Sequence, residues 1–308
     1  MKDLQQKIKA TFEGLRERFP NLKEQTAKGG DGVTIYFCGG GFRGYGSMLM
    51  HTDEIQPYPI PAIGGYTVPG YRFIQWRKML EANNDSGKIY GMSKRRREQF
   101  PAIVTVVRSI VEAVPYIKQV IFCSGGNREG VLYMRLSPSI QQRSPLAVLP
   151  GGIIPDVTNL QETLKTIVPS GAPRSDALDY DLLNYIAKHM YAHLGNADDV
   201  NSTKYLHGKF FLTQLTTTGL PSLAPISGHL AGLAGFTHET RALFALTMCA
   251  RWNSDLGRVD RELFRNLQLL LGSELSYLCD YIGTAARFIA TIVPTIPVTV
   301  LTAYLSLC

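Results

Sequence analysis

The chain has 308 residues, 45% of them apolar and 19% charged, a balance that excludes a disordered or collagen-like chain and leaves room for two domains with buried cores. Its formal charge of +7 is concentrated between Arg72 and Arg143, where 13 Lys and Arg face 5 Asp and Glu, while residues 1–71 carry +1 and residues 144–308 carry −2. With no recognisable nucleic-acid-binding motif beside it, that excess points to nucleotide or polyphosphate rather than to DNA.

Residues 1–19 read as an amphipathic helix with Leu4, Ile8, Phe12, Leu15 and Phe19 on one face, and not as a signal peptide. A polar loop over 20–32 leads to a strand over 33–38, a glycine turn over 39–46 and a short apolar helix over 45–50. Pro57, Pro59 and Pro61 make 51–65 a loop. Thr67 followed by Pro69 reads as a helix start, with Tyr71, Ile74, Met79 and Leu80 on its apolar face. A loop over 83–91 precedes Ser93 as an N-cap, the basic run Lys94-Arg95-Arg96-Arg97 reads as a solvated helix start, and an apolar helix over 102–114 stops at Pro115. A strand over 120–123 and a helix over 128–136 close this region.

Residues 137–155, with four prolines and a Gly-Gly pair, suit a linker or an extended crossover. Beyond it the pattern is helical over 160–167, 180–194, 202–215, 237–252, 260–271 and 273–292. Asp179 or Asp181 caps the second of these, Thr237 with Thr240 or Glu239 the fourth, and Ser273 the sixth. The 21 residues from Phe288 to Cys308 carry no charge, but Pro294 and Pro297 interrupt them and four threonines interleave them, so buried helices are expected rather than a membrane anchor.

Five cysteines, Cys38, Cys123, Cys249, Cys279 and Cys308, include no Cys-x-x-Cys pair and read as reduced, buried residues of an intracellular protein. His189 and His193 stand at i and i+4 with Asp198-Asp199 following, the spacing of paired metal ligands. No histidine is followed directly by Asp, the dipeptide that HD-type metal-dependent phosphohydrolases need, so polar or helix-surface histidines are expected rather than a metal site. His238-Glu239 with Arg241 is better read as a capped helix start, where Glu239 meets the positive end of the dipole, than as a general base.

One pattern occurs twice. Phe37-Cys38-Gly39-Gly40-Gly41-Phe42-Arg43 and Phe122-Cys123-Ser124-Gly125-Gly126-Asn127-Arg128 are displaced by 85 positions, each a strand that stops at a glycine turn and resumes as a helix. Adjacent glycines let a backbone take φ > 0 and bring N–H groups close to another molecule, and a helix start adds unpaired donors. Two such turns on neighbouring parallel strands would open at one sheet edge, and an Arg in each suits phosphate. The candidate phosphate- or nucleotide-binding residues are therefore Gly39, Gly40, Gly41, Arg43, Ser124, Gly125, Gly126, Asn127 and Arg128.

These turns, together with Met92-Ser93-Lys94-Arg95-Arg96-Arg97-Glu98-Gln99-Phe100-Pro101 and Glu129-Gly130-Val131-Leu132-Tyr133, resemble the second lobe of the Ppx/GppA phosphatase family, the exopolyphosphatase and guanosine pentaphosphatase branch of the actin-like ATPases. Phe37–Gly44 and Gly235-Phe236-Thr237-His238-Glu239-Thr240-Arg241-Ala242, with Cys249-Ala250-Arg251-Trp252, look like the fungal retrograde regulation protein 2 group of that family. The resemblance implies an α/β fold followed by an all-α region: a second lobe of an actin-like, ribonuclease-H-like body over 1–140, a linker over 141–156 and a helical domain over 157–308. It implies ATP or another nucleotide as ligand, with Mg²⁺ if the chain is catalytic, and a cytoplasmic regulator that engages a protein partner and neither nucleic acid nor membrane. Enzymes of the family carry an Asp/Gly/Ser phosphate loop, a second Asp-x-Gly-Gly-Gly-Ser loop and a water-activating carboxylate in a first lobe. Nothing before Val33 matches these, so no catalytic residue is assigned, and the chain reads as a fragment, a shortened gene model or a degenerated paralogue. The alternatives are a phosphoanhydride hydrolase acting on polyphosphate or guanosine pentaphosphate, and a non-functional remnant.

Overall fold

The computed structural model describes residues 2–85, 87–89, 91–143, 158–172, 183, 184, 186, 187, 236–252 and 258–293. The chain divides into two compact units, one of Met1–Glu54 with Pro61–Arg135, the other of Ile55–Ile60 with Leu136–Cys308. The first is α/β and the second, among the described residues, is helical.

In the first unit, α1 (Lys2–Arg18) and α2 (Pro20–Gln25) lead to β1 (Val33–Phe37). The loop expected over 20–32 thus begins as a helix: Pro20 stands at a first-turn position, where its missing N–H costs nothing. Along α1 only part of the expected face is covered. Phe12 is buried with Val33, Ala113 and Val114, and Ile8 packs against them, while Leu4, Leu15 and Phe19 are exposed. Helix α3 (Gly40–His51) starts directly after the first glycine turn and is twice as long as the expected 45–50 segment.

The main departure from expectation is β2 (Tyr66–Pro69), where Thr67 and Pro69 were expected to open a helix. Tyr66-Thr67-Val68 are β-branched or aromatic and pair antiparallel with β3 (Ile117–Phe122), and Pro69 ends the strand opposite Gln119. The chain then turns into α4 (Gly70–Phe73), where any Cβ at Gly70 would strike the Ile117 carbonyl, and continues into α5 (Trp76–Asp85). Phe73 and Met79 are the buried apolar side chains of this stretch, with Asn83 buried beside them, while Tyr71 and Ile74, expected on the apolar face, are exposed.

Helix α6 (Lys94–Ala113) runs unbroken through Pro101, with Ser93 as its N-cap accepting from the Arg96 N–H at 3.3 Å. Pro101 cannot donate to the Arg97 carbonyl four residues back. Asn83 Nδ2 donates to that carbonyl instead, at 3.4 Å. The Arg97 guanidinium in turn donates to the carbonyls of Gly87 and Asn83, and Arg96 to that of Gly91, so half of the basic run is engaged by α5 and the loop after it.

The sheet order is β1-β3-β2. Strands β1 and β3 are parallel, with Thr34 opposite Gln119 and Phe37 opposite Phe122, and every pair from Thr34 onward keeps the 85-residue displacement of the sequence repeat. One face carries an aromatic core. Phe37 stacks on Phe42 with centroids 4.1 Å apart and lies 5.4 Å from Phe73, Tyr66 stacks on Phe122 at 6.0 Å, and Tyr45 bridges Phe73 and Phe100. Each such pair contributes about 0.5–1.5 kcal/mol beyond area burial. The Tyr45 hydroxyl donates to the Phe73 carbonyl at 2.9 Å, and burial pushes its phenol well above the usual tyrosine range.

Helices α7 (Asn127–Tyr133) and α8 (Pro138–Gln141) follow the second turn, and α7 buries no residue. The second unit contains α9 (Thr158–Ile167), α10 (His238–Trp252), α11 (Arg258–Leu271) and α12 (Ser273–Ile292), with α10 packed on both α11 and α12. Thr237 caps α10 through the Thr240 N–H at 3.1 Å. The cap of α12 is Gly272, at φ 79°, rather than Ser273, which is its first helical residue. The loop segment Ile55–Ile60 joins this unit: Tyr58 Oη lies 2.9 Å from His238 Nδ1, and Asn266 Nδ2 donates to the Pro57 carbonyl at 2.9 Å. Arg241 is buried over the Phe236 ring, and that burial brings its guanidinium down to about 10.

Of the C-terminal run, Phe288 and Ile292 are exposed on α12 rather than buried, and 294–308 lie outside the described residues. So do the helix expected over 202–215, most of that over 180–194, His189, His193 and Asp198-Asp199. Among the described residues no helix is long and apolar enough to cross a membrane.

Candidate functional site

Because β1 and β3 are parallel neighbours, both glycine turns leave the C-terminal edge of the sheet. The first turn pivots on Gly39, at φ 103° and ψ 161°, which is the N-cap of α3 and accepts the Arg43 N–H through its carbonyl at 3.1 Å. The second pivots on Gly125, at φ 86°. A side chain bridges them: Arg43 Nη1 donates to the Gly125 carbonyl at 2.7 Å. The partly buried guanidinium keeps its other donors, and α3 has no side-chain cap on its first N–H groups. The arrangement is a set of N–H donors with one cation, the requirements for holding an anion.

Helix starts differ between the turns. At the second, Glu129 Oε2 accepts the Gly126 N–H at 2.8 Å, so a carboxylate of the chain occupies the donor that a phosphate would use. Asn127 and Arg128 are exposed on α7. Ser124 is half-buried and closely approached by the loop after α3, where a Cβ at Gly64 would meet its Cβ at 2.7 Å.

Sequence reasoning gave the adjacent pairs Gly40-Gly41 and Gly125-Gly126 one shared conformational role, and the structure separates them. Positive φ belongs to Gly39 and Gly125, whereas Gly40 and Gly41 are already helical and Gly126, at φ −165° and ψ −160°, is extended backbone open to any residue. Gly41 matters for space instead, since a Cβ there would meet Ile103 Cδ1 at 2.6 Å. The cysteines also separate: Cys249 and Cys279 are buried as expected, but Cys38 is exposed and Cys123 half-exposed at the head of the ladder. The 85-residue repeat, which pairs Cys38 with Cys123, was the sequence signal for that placement.

Sequence reasoning missed a polar cluster at the C-terminal end of α3. Asp53 accepts from Tyr66 Oη at 2.9 Å and pairs with Arg72, whose other nitrogen donates to the Leu49 and Thr52 carbonyls at 3.0 and 3.2 Å. Burial, with the Asp53 charge adding to it, drives the Tyr66 phenol well above its usual range. These bonds tie the end of α3 to β2 and α4, which is a structural role. Among the described residues no group of three or more His, Cys, Asp or Glu is placed to hold a metal ion.

Comparison with known proteins finds a match for each half. Residues 2–138 match the Ppx/GppA phosphatase family and residues 155–301 match the RTG2 C-terminal domain. Each match covers a little under half of the chain, and the two follow one another along it. It is similar to retrograde regulation protein 2 of Saccharomyces cerevisiae, with 25% identity over 309 aligned residues that cover 93% of this chain and 49% of the relative. The chain thus spans about half the length of that curated relative. Both glycine turns lie inside the Ppx/GppA match, and Arg241 with its Phe236 ring lies inside the RTG2 match.

Proposed function

We propose that the chain is a regulatory protein of the retrograde, mitochondria-to-nucleus type, whose Ppx/GppA-family domain holds a phosphate-bearing ligand without independent catalysis and whose helical half engages a protein partner. The observation that carries this reading is the similarity to retrograde regulation protein 2 across 93% of the chain, which takes in both the phosphatase-like and the RTG2 domain. In this reading the first unit is one lobe of an actin-like body, the ligand is ATP or another nucleotide at Gly39, Gly125, Arg43 and Arg128, and the protein works in the cytoplasm.

The Ppx/GppA match favours a second reading, a phosphoanhydride hydrolase using Mg²⁺. Such a reaction needs a positioned group to activate water and a charge-stabilising cleft around the transferring phosphoryl. The carboxylate beside the second turn, Glu129, is held instead by the Gly126 N–H. Purified chain incubated with ATP, guanosine pentaphosphate or polyphosphate and Mg²⁺ separates the two: ligand binding without phosphate release supports the regulator, and phosphate release that is lost in Arg43→Ala supports the hydrolase.

A further inference from the structure

The head of the β1–β3 ladder carries a feature that phosphate binding does not use. The last register pair is Phe37 with Phe122, and the Cys123 N–H donates to the Phe37 carbonyl at 2.8 Å, which extends the parallel pairing one step. Cys38 and Cys123 are the next residues on the two strands, and again 85 positions apart. Neighbouring strands run about 4.8 Å apart, inside the Cα separation of roughly 4.4–6.8 Å that a disulfide spans. Adjacent residues of a parallel pair project to the same side, and since Phe37 and Phe122 are buried, the two cysteines fall on the other side, which Tyr36 shares at 66% exposure. The Cys123 thiol donates to the Ile121 carbonyl at 3.9 Å, and burial first and the neighbouring Cys38 second push it up to about 11.

We propose that Cys38 and Cys123 form a redox-modification site, a thiol pair that closes to an intramolecular disulfide by exchange with a small-molecule disulfide of the glutathione class. The two thiols differ in access, and that sets the order of events. Cys38 is exposed, so its thiolate attacks one sulfur of the small disulfide, forming a mixed disulfide and releasing one small thiolate, which takes up a proton. Cys123 then gives its proton to solvent and attacks the Cys38 sulfur, forming the protein disulfide and expelling the second small thiol. Two protein thiols lose two electrons and two protons, and one small disulfide becomes two thiols. The other described cysteines, Cys249 and Cys279, are 3% and 1% exposed and are shielded from the same reagent. The bridge would join β1 to β3 immediately before Gly39 and Ser124, at the base of both turns.

The test uses the reduced full chain, oxidised glutathione as the probe, alkylation of remaining thiols and peptide mass spectrometry. Wild type is expected to lose two alkylatable thiols and yield a Cys38–Cys123 cross-linked peptide, reversed by dithiothreitol. Cys123→Ser is expected to stop at a stable glutathione adduct on Cys38. Cys38→Ser is expected to slow modification of Cys123 at least tenfold. A wild-type chain that accumulates glutathione on Cys38 without the cross-link, or that bridges to another cysteine, overturns the proposal. The wild-type peptide map decides the matter even if a variant fails to fold.

Discussion

The two glycine turns begin alike and end differently. Both succeed a parallel strand, pivot on a glycine at positive φ and place an arginine soon after, yet α3 buries seven residues and α7 buries none. The difference lies in the helix that each turn opens. In α3 stand Gly44, Gly46 and Ser47, small enough to bring the helix against the sheet, and a Cβ at Gly46 would already touch Phe122 and Ile63 at 3.0 and 3.1 Å. After the second turn come Val131, Leu132, Tyr133 and Met134, each at least half exposed. A shared turn motif therefore reports the strand and its exit, while the next ten residues decide whether the helix joins the core.

The contrast is open to mutation. Its largest expected effect is at Phe122, fully buried between Phe37 and Tyr66: Phe122→Ala should cost about 3–5 kcal/mol in denaturant unfolding, against less than about 0.5 kcal/mol for Leu132→Ala on α7. Next, Gly46→Val overpacks the α3–sheet contact and should cost about 1–3 kcal/mol, and equal tolerance at Gly46 and Gly130 would break the contrast. Within the second turn, Gly125→Val forces a β-branched residue to φ 86° and should cost about 1–3 kcal/mol, measurably more than Gly126→Val in its extended conformation. The smallest effect has the opposite sign. Gly130→Ala, with nothing within 4 Å of the new Cβ, should raise the unfolding midpoint, by a gain of about 0.5–1 kcal/mol.

Legibility in the sequence tracked the strength of each local signal. Strands β1 and β3 and the span of α12 were readable from periodicity, and the caps Ser93 and Thr237 from cap chemistry, whereas the cap of α12 is Gly272 and not the expected Ser273. Strand β2 was not: four residues ending in Pro69 offer too short an alternation, and its pairing with β3 is a tertiary fact. The unbroken course of α6 through Pro101 was hidden for the same reason, since the compensating donor Asn83 sits on another element. At the candidate site the displacement of 85 gave the register directly, but it could not tell which glycine turns. It gave no sign that Arg43 reaches across to the Gly125 carbonyl, or that Glu129 takes the Gly126 N–H.

The most direct measurement is a calorimetric titration of tripolyphosphate, and then ATP, into wild type, Arg43→Ala and Arg128→Ala, each first shown to be folded by its unfolding midpoint. If the two turns make one anion site, wild type binds, and each arginine variant loses at least tenfold in affinity, about 1.4 kcal/mol or more, as expected for a charge-assisted bond to phosphate. Binding that is absent in wild type, or equal in all three proteins, would contradict the placement of a phosphate-bearing ligand at the sheet edge.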